Sequence, residues 1–198
     1  MPHIDYYFSP LSPFAYLAGA EMEEIAARHG ATIAYKPVDA PRLMVEMGGL
    51  PVPKRHPARQ AYRLQELPRI ARARGMPINV HPAHWPTDAS GAVAALAATE
   101  LAGAGTGALS RALLTAVWAE EKNIAEAAVL DEALAKAGVD KAKLDLAAGA
   151  AQIEANTAEA MEAGVFGFPF YIVAGERFWG QDRLSYLDAH LGSMNANA

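Results

Sequence analysis

The chain contains no cysteine among its 198 residues. That absence excludes a disulfide framework, thiolate metal sites and any dithiol redox chemistry carried by the protein itself. Thiol chemistry here would have to use a thiol brought by a ligand. Long apolar runs are also missing, and none approaches the roughly 20 residues that span a bilayer. The opening Met1-Pro2-His3-Ile4-Asp5 has neither the basic region nor the apolar stretch of a secretory leader. Basic excess is absent too, since the formal net charge is −5, which argues against a general nucleic-acid binder. The expectations are therefore no membrane association, no nucleic-acid partner and a cytoplasmic setting. What is present is ordinary globular material, 52% hydrophobic and 20% charged. It suffices for one sizeable core, or for one domain carrying a large insertion.

The periodicity of that material changes twice. His3-Ile4-Asp5-Tyr6-Tyr7-Phe8 alternates and breaks at Ser9-Pro10, which predicts a strand. Phe14, Leu17, Ala18, Met22 and Ile25 then recur at helical spacing, predicting one helix from Pro13 to about His29-Gly30 with Ser12 as its N-cap. Thr32-Ile33-Ala34-Tyr35 predicts a second strand, ended by Pro37. From about residue 41 to 164 the chain is rich in Ala, Leu, Glu and Arg, and predicts helices over 59–74, 89–102, 108–121, 125–137 and 140–163. Phe170-Tyr171-Ile172-Val173 and Arg177-Phe178-Trp179 flank a short turn, after which Asp182 would open a last helix bearing Leu184, Leu187 and Leu191. This β-α-β, helical block, β-β-α order predicts an α/β protein with a thioredoxin-like fold interrupted by a large all-helical insertion. Residues 1–40 and 165–198 would form the split domain and 41–164 the insertion.

Two places stand out chemically. Ser12-Pro13-Phe14-Ala15 puts a hydroxyl between a strand and a helix, a position suited to an anion or thiolate, or simply to a cap. No Gly-x-Ser-x-Gly elbow surrounds Ser12, which makes a hydrolase nucleophile a poor reading. Phe168-Pro169 follows Gly164-Val165-Phe166-Gly167, and in this layout the Phe168–Pro169 bond is expected to be cis and close to Ser12. The backbone N–H and C=O of Phe168 would then be free to pair with an extended ligand. The basic stretch Arg59, Arg63, Arg69, Arg72 and Arg74 reads as a solvated helix face, while Lys54 and Arg55 just before it could hold a substrate carboxylate. His81 and His84 lack acidic or thiolate neighbours, so no metal site is read there.

Ser12-Pro13-Phe14-Ala15-Tyr16-Leu17, Gly164 to Pro169, and Phe178-Trp179-Gly180-Gln181-Asp182-Arg183-Leu184 together resemble the 2-hydroxychromene-2-carboxylate isomerases. These are akin to kappa-class glutathione transferases and, more distantly, to DsbA-like bacterial disulfide oxidoreductases with a helical insertion. The resemblance implies glutathione as cofactor. Ser12 would hydrogen-bond its sulfur, Phe168 would pair with its cysteinyl backbone, and Trp179, Gly180, Gln181 and Asp182 would hold its γ-glutamyl end. It also implies a homodimer acting on an aromatic acid in aromatic catabolism. The expected chemistry is addition, rotation and elimination on an aromatic enone acid, with the cofactor's thiolate as nucleophile and Ser12 as its stabiliser. His84 and Trp85 fall roughly where the family lines its substrate pocket. The alternatives are a kappa-like transferase or peroxidase, and a non-catalytic thioredoxin-like binding protein.

Overall fold

A computed structural model of the chain describes residues 1–196, so the last two residues of the expected 165–198 segment lie outside it. Four strands form one mixed sheet in the order β2-β1-β3-β4. They are β1 (His3–Phe8), β2 (Thr32–Pro37), β3 (Phe170–Val173) and β4 (Glu176–Trp179). β1 pairs in parallel with β2 and antiparallel with β3, which in turn pairs antiparallel with β4. The first and last fifths of the sequence therefore meet in one sheet. Among the described residues between β2 and β3 there is no strand.

Period-two alternation on β1 decides the layers. Ile4, Tyr6 and Phe8 face one apolar cluster with Leu17, Ile25, Leu113 and Trp118, whereas Tyr7 joins a second cluster with Leu43, Ala160, Val165 and Phe170. On that second face β1 contributes only Tyr7 as buried apolar surface, since Asp5 pairs with Lys36 at 2.9 Å. On the first face Tyr6 stacks on Phe8 and Tyr171 with ring centroids 4.7 and 5.2 Å apart.

The helices are α1 (Pro13–Ala18), α2 (Glu21–His29), α3 (Ala40–Glu46), α4 (Pro57–Ala73), α5 (Ser90–Leu101), α6 (Thr106–Trp118), α7 (Ala127–Lys136), α8 (Leu146–Glu162) and α9 (Leu184–Ala196). Two expectations need correction. The single helix expected from Pro13 to His29 is broken at Gly19, whose φ of 61° places it outside the helical region. Asp182 does not cap the last helix. The Arg183 carbonyl accepts the first helical bond, from Leu187 N–H at 3.1 Å, and the Asp182 carboxylate turns to the Arg183 guanidinium at 2.7 Å instead. A two-residue turn, Ala174-Gly175, joins β3 to β4 with both residues at positive φ, the geometry that matches strand twist in a tight hairpin.

The alanine-rich tract is packing material. Ala92, Ala95, Ala97 and Ala98 of α5 are buried, and Gly149 of α8 lies so close that a Cβ there would sit 2.3 Å from the Ala94 carbonyl oxygen. Small residues on both surfaces let the two helix backbones approach each other.

Candidate functional site

Ser12 is held at a four-residue turn leaving β1. Its N–H donates to the Ser9 carbonyl at 3.0 Å. Its Oγ accepts from Ala15 N–H at 3.2 Å, as an N-cap of α1, and donates to the Phe168 carbonyl at 3.2 Å. The Phe168–Pro169 peptide is cis, as the glycine-flanked sequence predicts, and it lies against Ser12 as expected. Phe168 N–H has no acceptor among the described residues. Two indole N–H groups fix the same turn, from the buried Trp118 to the Pro10 carbonyl at 3.2 Å and from the half-buried Trp85 to the Leu11 carbonyl at 3.0 Å. Because α1 has only six residues, its dipole is small. The hydroxyl, rather than a long helix, is the main stabiliser of any anion at this point.

Beside this turn lies an open cleft of about 520 Å³. One wall is the segment after β4. Gly180 N–H donates to the Pro169 carbonyl at 2.9 Å, which ties the segment to the cis-proline turn. Gly180 has φ 110°, and a Cβ there would lie 2.6 Å from Asp182 Oδ1. Gln181 is buried, and its carbonyl accepts from Arg74 Nη2 at 2.9 Å. Arg74 also pairs with Glu21 at 2.7 Å, so this one side chain of the α4 end links the cleft wall to α2. Trp179 is half exposed, with Phe166 edge-on at 4.9 Å.

The opposite wall is α4, where the expected solvated basic face holds for the exposed Arg59, Arg69 and Arg72 and fails at Arg63. Arg63 is only 9% exposed and borders the cleft with Arg55, Ala58, Arg59, Tyr62 and Glu66. Its guanidinium lies 5.1 Å from the Trp85 ring centroid and 5.8 Å from that of Trp118. Its Nη2 is buried without a partner. Burial, with the nearby charge of Arg55, pushes the Arg63 pKa down to about 10, and burial together with Arg59 lowers that of Arg55. Each indole contact offsets about 0.5–2 kcal/mol, less than the several kcal/mol that an unpaired buried charge costs. The helical period carried the signal: Arg63 lies four residues before Leu67 and eight before Ala71, both buried, so it sits on the apolar stripe of α4.

The residues proposed from sequence are not all together. Phe168, Trp179, Gly180, Gln181, Asp182 and Arg55 line the cleft, and Ser12 adjoins it through its bond to Phe168. Lys54 and His84 are exposed and are not among the lining residues, and Trp85 lies behind Arg63, bracing Leu11. Among the described residues no group of three or more His, Cys, Asp or Glu could hold a metal, and no helix is long and apolar enough to cross a membrane.

Comparison with known proteins matches this arrangement to a family. A family model described as the DSBA-like thioredoxin domain matches residues 3–192. A 2-hydroxychromene-2-carboxylate isomerase of Pseudomonas putida is 30% identical over 198 residues, covering 96% of this chain and 95% of the relative. The chain belongs to this isomerase family, within the DSBA-like thioredoxin fold. A solved 2-hydroxychromene-2-carboxylate isomerase superimposes with a TM-score of 0.79 at 27% identity, over 98% of each chain. A glutathione S-transferase kappa 1 of Caenorhabditis elegans is 32% identical over 83 residues, which is 41% of this chain and 36% of that protein. Isomerase-family membership and the DSBA-like fold are thus as the three sequence stretches led us to expect.

Proposed function

We propose that this chain is a glutathione-dependent cis–trans isomerase of an aromatic enone acid such as 2-hydroxychromene-2-carboxylate, the compound in the names of its isomerase relatives. The observation that carries the reading is the contact between the Ser12 hydroxyl and the backbone of Phe168, beside a cleft walled by Trp179 to Asp182. The residues present fit a tripeptide thiol. Phe168 offers an unpaired N–H of the kind an extended peptide uses at a sheet edge. Gly180, at φ 110°, lets the Asp182 carboxylate lie where a Cβ would stand. The cleft volume is within the ordinary range for small-ligand sites.

When bound, glutathione supplies a thiol sulfur able to add reversibly to a conjugated double bond and so free it for rotation. Ser12 would turn its hydroxyl proton from the Phe168 carbonyl to that sulfur, favouring the thiolate. Phe168 would pair with the cysteinyl backbone, and Trp179, Gly180, Gln181 and Asp182 would hold the γ-glutamyl end, with Asp182 accepting from its ammonium group. Gly180→Ala is expected to weaken glutathione binding about tenfold, because the new methyl would lie 2.6 Å from Asp182 Oδ1 and displace the carboxylate proposed to hold the ammonium group, while strain at positive φ separately lowers stability by roughly 1–3 kcal/mol. Calorimetric titration of both proteins checks this.

The partial likeness to a kappa transferase favours one second reading, permanent conjugation at the same site. Incubation with an aromatic enone acid separates the two. The isomerase reading expects geometric isomerisation with the glutathione pool unchanged, whereas depletion in step with product would establish the transferase. Failure to bind glutathione would leave a non-catalytic binding protein. We further propose that residues 41–164 form an insertion that shapes the second substrate's wall through α4, while 1–40 and 165–198 bind the cofactor. The resemblance also carries a homodimer in the cytoplasm, testable by light scattering and cell fractionation.

A further inference from the structure

The cleft is cationic although the chain as a whole is not. Of its two acids, Glu66 pairs with Arg69 and Asp182 with Arg183. Arg55 spends its Nε on the Leu50 carbonyl at 2.8 Å. Neither Arg59 nor Arg63 has a carboxylate partner among the described residues, and Arg63 is the one withdrawn from solvent. A buried guanidinium that lacks an acceptor within its own chain is matched by an acceptor on a ligand, and a carboxylate fits its fork with two parallel bonds. The surroundings add a shape. Phe14, Tyr62 and Phe168 border the same cleft, so flat apolar rings lie next to the charge. The two indoles behind Arg63 are the ones bonded to Pro10 and Leu11, which places Arg63 on the Ser12 side.

We propose that Arg63 is the seat of the second substrate's carboxylate, and that it selects planar aromatic monocarboxylic acids whose ring lies against Phe14, Tyr62 and Phe168. The inference deepens the isomerase reading and rests on it for the role of the bound acid. The γ-glutamyl end of glutathione belongs to the other wall, at Trp179 to Asp182, where Arg183 is already paired.

The test is calorimetric binding of cinnamate, methyl cinnamate and glutathione to the wild-type protein, Arg63→Met and Arg63→Lys. The wild type is expected to prefer the acid over its ester by roughly 10- to 100-fold, the range for a hydrogen bond to a charged group. Arg63→Met should lose that preference with glutathione affinity unchanged, and Arg63→Lys should keep part of it, since an ammonium retains charge without the fork. A purely structural role for Arg63 would not move the acid-to-ester ratio. Methionine fills similar space against the indoles; should it fail to fold, the lysine variant carries the comparison. The proposal is overturned if the wild type shows no preference, if the full preference survives in Arg63→Met or is undiminished in Arg63→Lys, or if glutathione affinity falls in place of cinnamate affinity. Loss of the acid preference in Arg63→Met, in a protein that never binds glutathione, would uphold the carboxylate seat and refute the isomerase reading instead.

Discussion

Ser12→Ala is expected to cut turnover near neutral pH by about ten- to a hundredfold. The hydroxyl's bond to a thiolate is worth roughly 1.5–3 kcal/mol, and at 1.36 kcal/mol per unit its loss raises the bound thiol's pKa by about one to two units. The sign follows from which form reacts. Only the thiolate is nucleophilic, so a raised pKa depletes it at neutral pH and restores it at alkaline pH, where the variant should regain much of its rate. Alanine also removes the cap to Ala15 N–H, which costs about 1 kcal/mol of stability, so the pH–rate profile must be recorded where the variant remains folded. Ser12→Cys should keep some activity, but with oxidised glutathione it should undergo thiol–disulfide exchange to a mixed disulfide, releasing one glutathione as thiol. A variant that loses stability and keeps the wild-type pH profile would reduce Ser12 to a cap.

The largest effect on stability is expected at Gly149. Glycine to alanine in an open helical position gains up to about 1 kcal/mol, and Gly91 of α5, with no atom near its Cβ position, should behave that way. At Gly149 the Cβ meets the Ala94 carbonyl oxygen at 2.3 Å and the Ala98 nitrogen at 2.9 Å. These are backbone atoms, which cannot swing aside, so α5 and α8 must separate. Overpacking costs about 1–3 kcal/mol or more, which outweighs the propensity gain. Gly149→Leu should therefore lower stability by about 3 kcal/mol, or roughly 6–12 °C in melting temperature for a chain of this size. Thermal unfolding of Gly149→Leu beside Gly91→Ala measures both. A Gly149→Leu protein as stable as the wild type would mean that the helices are not in such contact.

Much of the architecture was legible because spacing encodes it. Alternation in His3–Phe8 and the β-branched and aromatic run at Phe170–Val173 identify strands whose neighbours are not theirs in sequence. The glycines before Phe168-Pro169 pointed to the tight turn that brings Phe168 to Ser12. The break at Gly19 was less legible, since Leu17 and Ala18 before it and Met22 and Ile25 after it keep helical spacing and are all buried. Asp182 looked like a cap by residue type, yet its neighbour Arg183 competes for the carboxylate. By residue type alone Arg63 belongs with the other, mostly exposed arginines of α4. Its spacing from Leu67 and Ala71 put it on the buried face, and only tertiary packing shows the two indoles that lie against it. The two indoles come from residues 22 and 55 positions further along the chain, and no local pattern announces them.

The central claim is that Ser12 and Phe168 form a site that holds glutathione as thiolate. Titrating the ultraviolet thiolate absorbance of glutathione bound to the protein, against pH, tests it most directly. The account predicts saturable binding and a bound thiol that ionises below the ordinary thiol value of about 8.5, moving back up in Ser12→Ala. Saturable binding with an unshifted thiol, alike in wild type and Ser12→Ala, would contradict it.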